Sequence, residues 1–211
     1  FYNRLINDTT ITEVVRQAQL EKISSTKPIN FFLLINGNEA LYLAEFDMDT
    51  KSRTYNRTGS VTLDFYTYYT NIGTKEKFYQ CFFTKEILVN VNDIKWLLTQ
   101  DTKKIGDYIC YKATASIDSE QFYGMDLMNP IVAWYIPEIP VSFGIQNFSG
   151  LPGLTLELTA DYEYGKVTYK ATNIEMDPIG AIIIEKPTGN QEMTEQEYLD
   201  YITKLNDNRK I

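Results

Sequence analysis

Leu154, Leu156, Leu158 and Ala160 alternate strictly with Thr155, Glu157, Thr159 and Asp161. Successive side chains of a β-strand point to opposite faces, so this period of two fits a strand with one dry face and one wet face and fits no helix. The same spacing sets Val167, Tyr169 and Ala171 against Thr168, Lys170 and Thr172. It also sets Ile105, Ile109, Ala113, Ala115 and Ile117 against Tyr108, Lys112, Thr114 and Ser116. Strands of this kind belong to antiparallel sheets that cover a core on one side.

Other short β-prone segments occur at 29–34, 41–46, 61–69, 77–83, 87–91, 94–99 and 179–185, separated in several places by turn residues. Asn36-Gly37-Asn38 reads as a tight hairpin turn, and the polar stretch 47–60 as a surface loop. Two helices are predicted. Thr10 and Glu13 fit a capping box ahead of Ile11, Val14, Val15 and Ala18, and Thr194 and Glu197 fit another ahead of Tyr198, Tyr201, Ile202 and Leu205. No repeat or composition shift divides residues 1–211, so one domain is expected. The expected class is α+β with mostly antiparallel strands and an N-terminal and a C-terminal helix. A sheet of roughly nine or ten strands must curl into a curved sheet or half-barrel, or close into a barrel.

Composition removes several functions. With 20 Lys and Arg against 28 Asp and Glu, the chain carries a net charge of −8 and no basic stripe, so it is not expected to bind nucleic acid. It contains no histidine, which excludes Ser-His-Asp and Cys-His nucleophile systems and His-containing metal sites. No cofactor is expected. No apolar run approaches the roughly 18 residues needed to span a bilayer. A chain opening on Phe1 fits a mature or trimmed polypeptide whose targeting segment is gone. Cys81 and Cys110 either form one disulfide or stand as two separate small apolar thiols.

The most distinctive segment holds Trp134-Tyr135, then Pro137, Glu138 and Pro140, then Gly150-Leu151-Pro152-Gly153-Leu154. Each proline deletes a backbone donor, so this part must be an edge strand or an extended loop. The two glycines bracketing Leu151-Pro152 suit a tight turn that presents one leucine before the next strand begins. The order of these elements resembles the GLPGLI family of secreted bacterial proteins, with Thr155 in place of the usual final isoleucine. Upstream, Lys104-Ile105-Gly106-Asp107-Tyr108-Ile109-Cys110-Tyr111-Lys112-Ala113 resembles another element of that family, with Asp107 inserted before the tyrosine. The resemblance implies an extracytoplasmic location (periplasmic, outer-membrane-associated or secreted) and no known activity. Its order of elements is similar to that of the lipoprotein-carrier fold.

From these residues the leading expectation is a non-enzymatic binding, chaperone or carrier-like protein for a hydrophobic small molecule, lipid or partner peptide. Trp134, Tyr135, Leu151 and Leu154 would rim its groove or partner edge; the alternative is that they simply fill the core. A second reading is a structural or interaction subunit of a cell-envelope assembly, contacting an envelope protein through surface tyrosines and the Trp134 to Pro140 edge. A third is a carboxylate-dependent hydrolase using a pair among Glu138, Glu157, Asp161 and Glu163, which needs two suitably spaced carboxylates.

Overall fold

The computed structural model describes residues 10–24, 30–45, 66–116, 130–162 and 165–208. The expected surface loop 47–60, the first part of the strand expected at 61–69, Ile117 and Glu163 lie outside the described residues. In chain order the elements are α1 (Glu13–Ser24), β1 (Phe31–Asn36), β2 (Glu39–Ala44), β3 (Tyr66–Asn71), β4 (Glu76–Cys81), β5 (Ile87–Asn90) and β6 (Leu97–Ile105). They continue with β7 (Tyr108–Ala115), β8 (Ile131–Ile136), β9 (Leu154–Tyr162), β10 (Gly165–Lys170), β11 (Gln191–Thr194) and α2 (Glu195–Asn208).

These strands form two sheets rather than the single curved sheet or half-barrel expected. One runs in the order β1-β2-β3-β4-β5-β11 and the other β10-β9-β8-β7-β6, and neither closes into a barrel. All pairings are antiparallel except β5 with β11. The main core draws Tyr42, Tyr68, Tyr79 and Val89 from the first sheet and Ala113, Ile131, Ala133, Tyr135, Leu158 and Ala160 from the second. The dry faces therefore cover each other, which is how two sheets satisfy alternating strands when few helices are available.

The aromatic residues supply much of that contact. Phe31 stacks on Tyr42 at 5.3 Å and meets Tyr169 of the other sheet edge-on at 5.6 Å. Helix α2 closes the sandwich: Tyr198, 2% exposed, packs edge-on against Tyr79 at 5.9 Å and shares a 3.0 Å hydrogen bond with Thr84. Its capping box is formed as expected, with Glu197 N donating to Thr194 Oγ1 and Thr194 N donating to Glu197 Oε2. Helix α1 starts later than expected, with Thr12 rather than Thr10 accepting from Val15 N at 3.5 Å. Its Val14 and Val15 are exposed, so this stripe does not cover a sheet as the expected flanking helix would.

The strand expected at 179–185 is absent. Ala171 and Ile174 first pack against the second-sheet cluster of Ile105, Cys110, Ile136, Leu154 and Leu156, and from Ile182 to Thr188 the chain crosses the other face of the first sheet without strand pairing. Asn36 Nδ2 donates to Ile182 O at 2.9 Å, Gln80 Nε2 donates to Thr188 O at 2.8 Å, and Lys186 pairs with Glu76. Ile184 lies against a second cluster of Leu41, Tyr69, Phe78 and Leu88, so the first sheet is apolar on both faces.

The link between β8 and β9 seals the sandwich. Phe143, Ile145, Phe148 and Leu151 are buried, and Trp96 Nε1 donates to Ser149 O at 3.0 Å. Gly150 (φ 97°) accommodates a left-handed turn, its N–H donating to Ser142 O at 2.8 Å. A Cβ on Gly153 would stand 2.2 Å from the Ile136 carbonyl oxygen, so only glycine fits there. Gly153→Ala is expected to lower the unfolding free energy by about 1–3 kcal/mol. Gly150→Ala, where a Cβ has open space but the backbone is strained, is expected to cost about 1–2 kcal/mol. Urea unfolding midpoints check both, with exposed Pro152→Ala as the near-neutral control.

Candidate interaction surface

The structure separates the residues singled out in sequence. Leu151 is 1% exposed and sits in the main core with Tyr135, while Leu154 joins a neighbouring cluster with Ile105, Cys110, Ile136 and Leu156. These three are core side chains, not the walls of an open groove. Pro137, Glu138, Pro140 and Pro152 are exposed along the link. The thiols of Cys81 and Cys110 are free and buried, one in each of these two clusters.

Trp134 lies on the opposite face of the second sheet, where β8 pairs it with Lys112 on β7 and Glu157 on β9. Lys103 Nζ stands 4.4 Å from the centre of its ring and 2.5 Å from Glu157 Oε1. This cation–π contact and ion pair hold the lysine stem flat across the sheet. Glu157 is thus neutralised by a lysine rather than placed beside a second carboxylate. Asp161 lies 3.8 Å from Lys166 Nζ, and Glu138 is exposed on the link, so none of these described carboxylates is brought together as a catalytic pair.

Thr155 corrects the simple alternation. It was expected on the wet face, yet it is 4% exposed. The register steps from Trp134↔Glu157 to Tyr135↔Thr155, leaving Leu156 as an extra residue in β9. Such a bulge shifts the side-chain alternation by one residue, turning Thr155 inward beside Tyr135.

A surface that the sequence reading did not single out lies at the other end of this sheet. Leu98 pairs with Ala113, so both share the inter-sheet face; Ile109 and Tyr111 stand four and two residues before Ala113 and share it too. The first sheet and its following loop cover Ala113 completely but leave Leu98, Ile109 and Tyr111 exposed by 49, 48 and 37%. Leu97, on the opposite face, is 68% exposed. The core face thus runs out onto an apolar ledge along β6, the edge strand of this sheet among the described residues. Lys104, paired with Ile109, puts an exposed cation on the same ledge. The sequence signal was there in Ile109, assigned to the dry face, but nothing in it showed that the cover would stop short.

A second feature is a cleft of about 420 Å³ between β4, β5, β11 and the 171–190 segment, lined by Lys75, Glu76, Lys77, Asp93, Lys186 and Glu192 among others. Beneath it, Lys77 Nζ donates to Asn92 O at 3.3 Å and lies 3.8 Å from Asp93. Burial lowers the Lys77 pKa, against the attraction of Asp93 and Glu195. Burial also raises the Glu195 carboxyl to about 7, while Lys77 pulls it down. Its Oε1 is buried without a hydrogen-bond partner. Burial likewise raises the phenols of Tyr42, Tyr66, Tyr79 and Tyr198, which act as neutral core groups. Among the described residues no group of three or more acidic or cysteine side chains is placed to hold a metal, and no helix is long and apolar enough to cross a membrane.

Comparison with known proteins places the distinctive segment and the fold. The model of a family described as a protein of unknown function (Porph_ging) matches residues 123–157, which contain Trp134, Tyr135 and the Gly150 to Leu154 turn. No curated protein matches the chain. The solved structure of PNGF-II in space group P21 is similar over 85% of this chain, with a TM-score of 0.56 and 21% identity. The same protein in space group C2 gives 84%, 0.56 and 20%. At this identity the likeness is one of fold. The chain spans about 30% of the length of PNGF-II.

Glu195 generates a pH prediction. Its folded pKa lies above the unfolded value, so it stabilises the fold below about pH 4.5, and that contribution is lost as pH rises through about 7. Glu195→Gln is expected to leave the thermal midpoint unchanged at pH 5 and to raise it by about 2 °C at pH 8. A wild-type–variant difference independent of pH between 5 and 8 would remove this role.

Proposed function

We propose that this chain is a non-enzymatic, extracytoplasmic binding module that holds a partner polypeptide at the β6–β7 ledge. The observation that carries the reading is the set of exposed apolar side chains Leu98, Ile109 and Tyr111 on the face that also holds buried Ala113. Soluble domains rarely leave such a set uncovered unless something docks on it. The space between the sheets is filled by Tyr68, Tyr79, Ile131, Phe148, Leu151 and Leu158, which favours a partner at the edge over a lipid held inside. The occurrence of a similar fold as about 30% of PNGF-II fits a module that works beside other domains. The location rests on the resemblance to secreted GLPGLI proteins. The envelope-assembly reading assigns the contact instead to surface tyrosines and the Trp134 to Pro140 edge.

A photo-crosslinking amino acid placed at Tyr111, at Pro137 or at Thr168 separates these readings in the native cell. A discrete product from position 111 that disappears with Ile109→Asp, and is absent from positions 137 and 168, is the expected result. A product from position 137 alone would move the contact to the Pro-rich edge. Co-purification of a stoichiometric lipid, read by mass spectrometry, would overturn the partner-polypeptide reading in favour of a carrier.

A further inference from the structure

We infer that the partner binds as an added strand of acidic and apolar character, pairing with β6 as a sixth strand of the second sheet; this rests on the ledge being the docking site. Three features converge. Strand β6 is nine residues long and, among the described residues, pairs only with β7, so its other side presents backbone donors and acceptors to an incoming chain. Side chains at alternate positions of an added strand would lie beside Leu98, Thr102 and Lys104 of β6, with Ile109 and Tyr111 of β7 one strand further in on the same face.

Charge then selects the partner. The segment from Lys95 to Lys112 carries four lysines, at 95, 103, 104 and 112, against two aspartates, at 101 and 107, in a chain whose net charge is −8. Lys103 is engaged by Glu157 and Lys112 by Asp101, but among the described residues Lys95 and Lys104 have no ion pair. Lys104 is exposed on the ledge itself, opposite Ile109, where a carboxylate two or four residues from an apolar contact would reach it.

The same pattern argues against a second copy of this chain. Between Leu98 and Thr102 the β6 register is broken by a bulge, leaving Thr102 to Ile105 as its regular part. Antiparallel pairing of that part with itself would set Lys103 opposite Lys104, and like charges directly opposed are destabilising. The bulge also keeps the edge from templating open-ended association.

The test uses a soluble, labelled peptide of sequence Glu-Thr-Val-Thr-Val flanked by serines, a counterpart with lysine for glutamate, and one with proline for the central valine. Binding to the full chain is read by fluorescence anisotropy, and β6 amide protection by hydrogen exchange. The glutamate peptide is expected to bind about tenfold more tightly than the lysine peptide, equivalent to ~1.4 kcal/mol. Lys104→Glu should reverse that order, the proline peptide should not bind, and amides within Thr102 to Ile105 should gain protection. Equal binding of the proline peptide or no binding at millimolar peptide would overturn strand addition, and an unchanged order in Lys104→Glu would overturn its acidic character. Crosslinking from position 111 that survives Lys104→Glu but not Ile109→Asp would keep the ledge and overturn the acidic strand alone. Loss of crosslinking in neither variant would overturn both.

Discussion

The contact on which the sandwich depends is the close approach of Gly153 to the backbone at Ile136. There the link from 137 to 153 returns against the end of β8 as it enters β9, and a Cβ would stand 2.2 Å from the Ile136 carbonyl oxygen. That close return lets the link insert Phe143, Phe148 and Leu151 into the end of the core. Gly150 supplies the left-handed turn, and Leu154 N donates to Ile139 O at 3.0 Å as β9 begins. A glycine is needed at each point for a different reason, one for conformation and one for space. The Gly-Leu-Pro-Gly-Leu sequence therefore acts in this chain as a packing device.

That device leaves the second sheet unequally covered. Near the link the sheet is protected by the aromatic core, by the Ile136, Leu154 and Cys110 cluster with Leu33 and Ile35 of β1 packed against it, and by the Lys103–Trp134–Glu157 stack. Toward β6 the protection thins, and Leu98, Ile109 and Tyr111 emerge. Burying that strip would remove apolar surface from water at about 25 cal/mol per Å², a driving force available only to something that docks. Lys104 on the same strip adds a sign to what can dock there.

Much of the local structure was legible in the sequence, because its causes are local. The alternation of Val167, Tyr169 and Ala171 with Thr168, Lys170 and Thr172 appears in the burial of β10. The Asn36-Gly37-Asn38 turn closes β1 onto β2 with Asn36 opposite Glu39, and the Thr194–Glu197 box caps α2. What escaped the reading depends on distant contacts. Two sheets instead of one curved sheet arise from Phe31 meeting Tyr169 and from Tyr79 sharing a core with Leu158, pairs far apart in sequence. The inward turn of Thr155 comes from a bulge that only the partner strand β8 reveals. The apolar run at 179–185 has strand composition, but its segment begins beside Pro178 and Gly180 (φ 104°) and is fastened by side chains such as Asn36 and Lys186. Of the expected groove residues, only Trp134 is not fully packed away, and the ledge carries none of them.

The central claim is that the motif leucine seals the sandwich and does not touch a ligand. Urea unfolding of Leu151→Ala tests it most directly. A side chain 1% exposed between two sheets should cost about 2–5 kcal/mol when truncated to alanine, with the slope of the transition unchanged. An unchanged midpoint, together with loss of partner crosslinking from position 111, would contradict the account and return the motif to the binding surface.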